Sequence, residues 1–448
     1  MDDTRLSQAA ALLVAVLTHQ QPVPTSLEQI DTQTHRLAHQ VGRQAAERYV
    51  ASRVAQAEAA RPVCACGTPL QAERRCGRAV LFLTGLIRFR LRRYRCPRCG
   101  TWRCPSQEAF QLAPRQRMTR TVQAAIREFG LSWSFAVAAG RLGRYLPGVA
   151  VSAKTVERVT QGGAAQVQAQ EDLAAQRCQE PDLPVGEPRE PPREAPAPRV
   201  PFVCPERVYV GLDGVLVRGR HAKEWLEVQV GSLWSAWRDL PERKTPRRVI
   251  TDRTVVARAA GWEQLGEQVW RVFVQRGGLR RPTPEVVVLG DGAAGIRSLW
   301  ELHFPGCLAL LDPWHLWEKV KERAREVFRH RERALGATQV VYARLKRGAV
   351  TEAQELIGLW PATSDWARER RERLLAFLER NRAQIRDYEQ LRQQGYLTGS
   401  GLTEKANDLV VVPRMKNGKM HWSRAGANAV ALLRAHVLND PEGWLLPT

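Results

Sequence analysis

The strongest constraint on the fold is the run Glu285-Val286-Val287-Val288-Leu289, closed by Gly290-Asp291-Gly292. Consecutive apolar residues bounded by glycine suit a strand covered on both faces. Such a strand needs helices to cover it. The residues around it supply them. Ala294 to His303 reads as a helix, and Cys307-Leu308-Ala309-Leu310-Leu311 as a second buried strand ending at Asp312. Arg207 to Leu212 reads as a short strand ending at Asp213-Gly214. Trp225 to Val230 alternates as its neighbour, Arg248 to Ile250 begins a further strand, and Trp262 to Phe273 is a helix. From residue 207 onward the pattern is α/β.

Before that point the chain differs. Glu180 to Pro205 carries nine prolines among Glu, Arg and Ala, a composition that buries no core and favours an extended linker. Residues 1–60 read as helical, with Pro22 and Pro24 as a break and Thr34 to Ala59 as one long helix. Val80 to Leu83 and Leu86 to Tyr94, joined by Thr84-Gly85, read as a hairpin whose second strand alternates apolar and basic residues. Thr119 to Gly130, Ser132 to Arg144 and a helix capped by Ser152 form three helical segments. They fit a helix-turn-helix module or an ordinary helical bundle. Leu316 to Leu391 is helical and highly charged, and Ala425 to Val437 is a last patterned helix.

The charge balance narrows the partner. Lys+Arg 68 against Asp+Glu 46 leaves +22, which favours a polyanion. No apolar run is long enough to span a membrane. The acidic start Met1-Asp2-Asp3-Thr4 is unlike a secretory leader, so the expectation is a soluble, cytoplasmic chain.

Two aspartates share one setting. Asp213 and Asp291 each follow a β run and precede a glycine. Carboxylates at the ends of adjacent strands project into the crevice where open α/β sheets bind ligands. Close together they repel unless a cation bridges them, and hard oxygen donors select Mg²⁺ or Mn²⁺. Glu404, in Gly399-Ser400-Gly401-Leu402-Thr403-Glu404-Lys405, supplies a third carboxylate from a helix start. Such a set would hold two ions for in-line displacement at phosphorus. Asp-Gly after a strand is also a common turn.

Six of the nine cysteines lie between Cys64 and Cys104. Cys96-Pro97-Arg98-Cys99-Gly100 has the spacing of a zinc knuckle, and Cys64-Ala65-Cys66-Gly67 offers the other half, one residue short of the usual spacing. Cys76 or Cys104 could replace Cys64 or Cys66, and a reduced cysteine cluster is the alternative.

The order Asp-Gly, Gly-Asp-Gly-Ala, Leu-Asp-x-x-His and Gly-Ser-Gly-x-x-Glu resembles insertion-sequence transposases of the ISKra group and the wider Mutator-like DDE enzymes. Arg414-Met415-Lys416 and Met420-His421-Trp422-Ser423-Arg424-Ala425-Gly426-Ala427 strengthen the likeness, which covers about residues 60 to 440. The resemblance implies an α/β, RNase H-like catalytic core with a mixed sheet and a helical insertion. It also implies N-terminal zinc-ribbon-like and helical DNA-binding regions. Expected boundaries are 1–60 helical, 61–115 zinc-ribbon-like, 116–175 helix-turn-helix-like, 176–206 linker, 207–315 first part of the core, 316–397 insertion and 398–448 final part.

The same resemblance assigns the catalytic triad to Asp213, Asp291 and Glu404, each a ligand for Mg²⁺ or Mn²⁺. Asp312-Pro313-Trp314-His315 resembles the superfamily's (Cys/Asp)-x-x-His motif. His315 would contact DNA or orient a metal-bound water, or else the pair caps the next helix. Structural Zn²⁺ would take Cys64, Cys66, Cys96 and Cys99. Arg88, Arg90, Arg92 and Arg93 of the hairpin, and Lys405, Arg414, Lys416, Lys419 and Arg424 near Glu404, would contact DNA, with Trp422 either stacking on a base or packing in the core, the commoner role of a lone Trp. The expected activity is cleavage and strand transfer at transposon ends, by a nucleoid-associated bacterial homodimer or larger assembly bound to terminal inverted repeats and target DNA. The alternatives are a transposase-derived DNA-binding protein that no longer cuts and a structure-selective nuclease.

Overall fold

The computed structural model describes residues 3–19, 25–177, 201–204, 206–221, 223–240, 247–279, 282–361, 363–416 and 420–440. Most of the proline-rich linker and the expected break at Pro22 and Pro24 lie outside the described residues. The chain divides into two compact units at Thr160/Gln161. No helix among the described residues is long and apolar enough to cross a membrane.

The first unit opens with α1 (Asp3–Thr18) and α2 (Leu27–Ala59). Ser26 caps α2 by accepting the Gln29 N–H at 3.2 Å, so the helix begins a full two turns before the expected Thr34. A three-stranded antiparallel sheet follows, β1 (Gln71–Phe82), β2 (Gly85–Arg95) and β3 (Trp102–Arg103), in the order β1-β2-β3. The hairpin turns at Leu83-Thr84, one residue before the expected Thr84-Gly85, because Gly85 pairs with Phe82 as the first residue of β2. β1 starts nine residues earlier than the apolar run Val80–Leu83, because Gln71 to Ala79 is mostly exposed and carries no apolar signal. A short helix α3 (Pro105–Ala109) leads to α4 (Arg120–Ser132), α5 (Phe135–Tyr145) and α6 (Ala153–Arg177). Thr119, Ser134 and Ser152 each accept the N–H three residues on, capping the three helices. Val122, Ile126, Ala138, Leu142, Val149 and Val156 form their shared core.

The second unit is a mixed α/β structure. Its strands are β4 (Arg207–Arg218), β5 (Trp225–Trp234), β6 (Trp237–Leu240), β7 (Arg247–Ile250), β8 (Thr254–Arg258), β9 (Glu285–Gly290) and β10 (Leu308–Leu311). Five of them form one sheet in the order β10-β9-β4-β5-β8. β9 and β10 run parallel to their neighbours, while β5 is antiparallel to both β4 and β8. β7 contains the expected Arg248–Ile250 strand, but it pairs with β6 in a separate ribbon rather than joining the sheet. Helices α7 (Trp262–Gln275) and α8 (Ala294–His303) cover one face, packing on Val208, Val210, Leu212, Val256 and Val288.

A helical segment separates β10 from the end of the chain: α9 (Pro313–Val327), α10 (Arg331–Leu345), α11 (Val350–Gly358), α12 (Asp365–Arg380) and α13 (Tyr388–Gln393). It has its own core, including Val320, Val341, Ile357 and Leu378. Then come α14 (Gly401–Val410), a π-helical turn at Val412–Lys416 and α15 (Arg424–Asn439). Asn439 bonds the N–H and C=O of Val255, and Asn428 takes the Ala259 N–H, so α15 side chains satisfy the free edge of β8.

The first strand does not end at Leu212. β4 continues through Asp213 and Gly214 to Arg218, paired with β5 throughout, so Asp213 sits opposite Val230 within a strand. The Asp-Gly dipeptide imitates a turn but lies in the ladder.

Candidate active site

Strand alternation decides which side chains meet. On β4, Tyr209, Gly211 and Asp213 face away from Val210 and Leu212, which pack under α7 and α8. The parallel register places Gly211 beside Leu289, and continuing it two residues brings Asp291, just past the end of β9, level with Asp213 on β4. Tyr209 and Leu289 share a core on this second face. Gly292, after the second aspartate, has φ +81°, a conformation that favours glycine. The turn it makes is fixed by the Ala293 N–H, which donates to Asp291 Oδ1 at 2.9 Å.

α14 brings the third carboxylate. Thr403, Ala406 and Val410 are fully buried, spaced three and four apart, and Asn407 is nearly so. That stripe seats the helix against β4 and β5, and Glu404, one residue round, is only partly buried. Close approach depends on Gly211. A Cβ there would come within 1.9 Å of Thr403 Oγ1 and 3.1 Å of the Trp234 ring. Gly211→Ala is therefore expected to cost about 1–3 kcal/mol through overpacking. The double variant Gly211→Ala/Thr403→Ala should recover much of it, because the buried Thr403 hydroxyl makes no hydrogen bond to lose. Melting temperatures of the three variants test this; additive losses would mean that the contact is not what excludes the Cβ.

Three further contacts fix α14. The Asp312 carboxylate accepts the Ser400 N–H at its start. Arg434 of α15 donates to the C=O of Leu409 and Val410, at 2.6 and 2.7 Å, at its end. Between them, Asn407 Nδ2 donates to Asp213 Oδ2. Asp213 Oδ1 takes the Gly214 N–H at 2.8 Å. Asn407 was not singled out from sequence; an asparagine on a buried helical stripe was the available signal.

The other oxygen of Asp312 accepts the N–H of Trp314 and His315, at 2.7 and 3.0 Å, which caps α9. The cap is thus Asp312 alone. The His315 ring instead lies with the carboxylates, its Nε2 3.6 Å from Glu404 Oε1.

Burial pushes Asp213 up to about 6; the Gly214 N–H and His315 oppose the rise, and the charges of Asp291 and Glu404 add to it. Burial also raises Glu404, with His315 opposing. Among the described residues, neither Asp213 nor Asp291 is in an ion pair with Lys or Arg. Asp252 shows the contrast. Burial pushes it up, yet the Ser235 hydroxyl, the N–H groups of Ser235 and Ala236, and Arg276 at 3.0 Å hold it below the ordinary range. Asp252 is a satisfied structural carboxylate, while Asp213 is an acid kept without a counter-cation. A divalent cation fits that donor set: hard oxygens, crowded negative charge and a buried acid that a positive ion would return to its ionised form. The carboxylates are not drawn to common ligand distance. Among the described residues, only the cysteines form a group of three or more candidate ligands within 4.8 Å of one another.

The four cysteines that meet are Cys64, Cys66, Cys96 and Cys99. Sγ separations are 3.4 Å for Cys64–Cys99, 3.6 Å for Cys66–Cys96 and 3.9 Å for Cys66–Cys99. A tetrahedral ion with bonds of about 2.3 Å needs edges of about 3.8 Å, so the four can bind a metal. The short Cys64-Ala65-Cys66 half works because its turn closes at once, Gly67 N–H to Cys64 C=O at 2.9 Å. The hydroxyls of Thr68 and Thr101 hold Cys66 and Cys99 below the usual thiol range, Cys99 at about 6. Cys76, within β1, and Cys104, just before α3, are not among the four thiols that meet, so neither replaces a member of the cluster.

The expected DNA contacts divide. Arg88, Arg90, Arg93, Lys405, Lys416 and Arg424 are exposed, and Arg92 is half-buried. Lys419 lies outside the described residues. Arg414 is not at the surface as expected and Trp422 takes the core alternative: both are buried, at 1% and 4% exposure. The guanidinium stacks on the indole at 4.9 Å, Trp422 Nε1 donates to Met415 C=O at 3.2 Å, and burial lowers Arg414 to about 10. They pack against each other within the turn after α14. Sequence also missed Glu227 of β5. Its Oε1 lies 2.4 Å from where a Cβ on Gly214 would be, and its other oxygen accepts from Gln229 at 3.0 Å. It backs the Asp213 strand from the face opposite the triad.

No protein-family model matches the chain, and no curated protein matches it.

Proposed function

We propose that the chain is a DDE-type transposase that cleaves and joins DNA strands with two divalent ions. The observation that carries this reading is that Asp291, Glu404 and His315, from three other parts of the fold, lie near enough to act on the charge of Asp213, with His315 3.6 Å from Glu404. A mixed five-stranded sheet with one acid on a strand, a second just past the end of its neighbour and a third on a helix packed on the sheet reads as an RNase H-like core. The segment 313–393 reads as its insertion. Magnesium or manganese would supply activation of the attacking water or 3′-hydroxyl and stabilisation of the leaving oxygen. Asp213, Asp291 and Glu404 would hold those ions. Asn407 orients the Asp213 carboxylate, and His315 stands beside Glu404 to take or give a proton. Zinc is the ion we assign to the four cysteines, since tetrahedral thiolate sets select it. The basic surface of the chain and the helical trio α4–α6 support duplex DNA as the partner, in a homodimer or larger assembly.

The test uses purified protein and duplex carrying the inverted repeats that flank its gene, with Mg²⁺ or Mn²⁺. Cleavage and joining are expected, and Asp291→Asn should reduce both by about 10³-fold or more, the loss of several kcal/mol of charge stabilisation. Equal activity in the variant would remove the triad. Cutting without joining of a pre-cleaved end would favour a nuclease, and binding with no cutting a DNA-binding factor.

A further inference from the structure

The register of β1 and β2 places Arg75 opposite Arg92, with Gly77 opposite Arg90 and Ala79 opposite Arg88. Directly opposed residues of an antiparallel pair share a face. Four arginines therefore stand on one face of the ribbon, with only Gly77 and Ala79 across from two of them. Arg75, Gly77, Ala79, Arg88 and Arg90 are exposed, and a Cβ on Gly77 would meet nothing within 4 Å. The other face is the buried one, carrying Val80, Ile87 and Leu91.

Like charges directly opposite destabilise a ribbon. No acid offsets them here. Among the described residues, none of these four guanidinium groups is in an ion pair. Glu58 accepts the main-chain N–H of Arg92 at 2.8 Å, and Glu73 reaches only Arg95, at 3.8 Å, at the ribbon's end. A surface that keeps uncompensated repulsion is complementary to a polyanion.

We propose that this face is a docking surface for double-stranded B-form DNA, gripped through its phosphates. The dimensions favour it, because the major groove admits a two-stranded ribbon. Arginines at every second residue recur about 7 Å apart along β2. The small residues Gly77 and Ala79 let the ribbon backbone come close. No aromatic side chain stands among the four arginines, so a single strand finds no stacking platform. The major groove of A-form RNA is too deep and narrow for such a ribbon. Arg75 belongs to β1 and was not among the arginines singled out from sequence. The inference rests on the DNA partner proposed above, not on cleavage.

The experiment is fluorescence anisotropy of the full chain on labelled random-sequence duplex of about 20 base pairs, without Mg²⁺ or Mn²⁺, across a salt series. Each lost phosphate contact removes about 0.9 from the salt slope. Changing Arg75, Arg88, Arg90 and Arg92 together to Gln should lower the slope by about 3 to 4. The parent's advantage over that variant should then shrink about 100-fold between roughly 50 and 200 mM salt. The matching Lys set should keep the slope, because a phosphate contact needs charge rather than the planar fork. Metal content shows whether the Gln set has folded; if it has not, Arg88→Gln and Arg90→Gln are read singly, at about 0.9 each. An unchanged slope in the Gln variants overturns the proposal. So does a lost slope in the Lys set, failure of the parent to bind duplex, or tighter binding of single strands or RNA duplex. Binding that follows this pattern in a chain that never cuts leaves the surface standing and removes only the transposase reading.

Discussion

Asp213→Asn is expected to melt higher than the parent at pH 8 and no higher near pH 3.5. The Asp213 carboxyl is raised from an ordinary 3.8 to about 6. Between those values the folded protein holds a proton that the unfolded chain has lost, so stability falls as pH rises through the window and stays low above it. The distance from 3.8 to about 6 corresponds to about 3 kcal/mol, the most that removing the charge can return at pH 8. Below 3.8 both states are protonated and the gain disappears. The fold accommodates the amide, because Asn407's carbonyl oxygen is buried without a partner and its amide can turn to accept from the new side chain. Mg²⁺ or Mn²⁺ should raise the melting point of the parent and leave the variant nearly unmoved. Calorimetry at the two pH values, with and without metal, tests the argument. A variant no more stable than the parent at pH 8 would show that Asp213 is not a carboxylate held at a cost for function.

Losing the ion from the cysteine cluster should have the larger effect. The cluster's core is Leu70 and Tyr94 with Cys64 and Cys96. So few buried side chains cannot hold two knuckles and a ribbon end together by burial alone. Structural zinc in comparable small sites contributes an apparent 10–16 kcal/mol, about the scale needed. Purified chain should carry one zinc. Cys96→Ser or a strong chelator should release it and open residues 61–104 to limited proteolysis. Cys76→Ser and Cys104→Ser should keep both metal and protection, since neither thiol belongs to the cluster. A Cys96→Ser protein with full metal content and an unchanged digest would end this assignment.

The legibility of the chain follows from where each signal is local. The apolar run ending at Gly290 marked a doubly covered strand, and the highly charged stretch from Leu316 to Leu391 is helical as expected. The cysteine cluster was legible from spacing despite the short first half, because Gly67 closes the turn. What failed to show was tertiary. β4 was cut short at Leu212 because Asp213-Gly214 has turn composition; pairing with β5 carries the strand across it. β8 was missed because Thr254–Arg258 is short and its edge is satisfied by asparagines from α15. Arg414 reads as a surface residue in a basic stretch, yet it stacks on Trp422 inside an irregular turn. Asn407 acquires its role from a carboxylate 194 positions away, which no local window contains.

Asp312 has a consequence for how this protein can change over evolutionary time. One of its oxygens holds the first turn of α9 and the other the first turn of α14. His315 and Glu404 therefore take their separation from a single shared side chain. The polypeptide between these two helices closes on its own core and returns to where it left, anchored by the Tyr388 hydroxyl on Leu311 C=O at 2.8 Å. Its length and surface can drift, as an inserted module's can, while the distance between the two site residues is inherited unchanged.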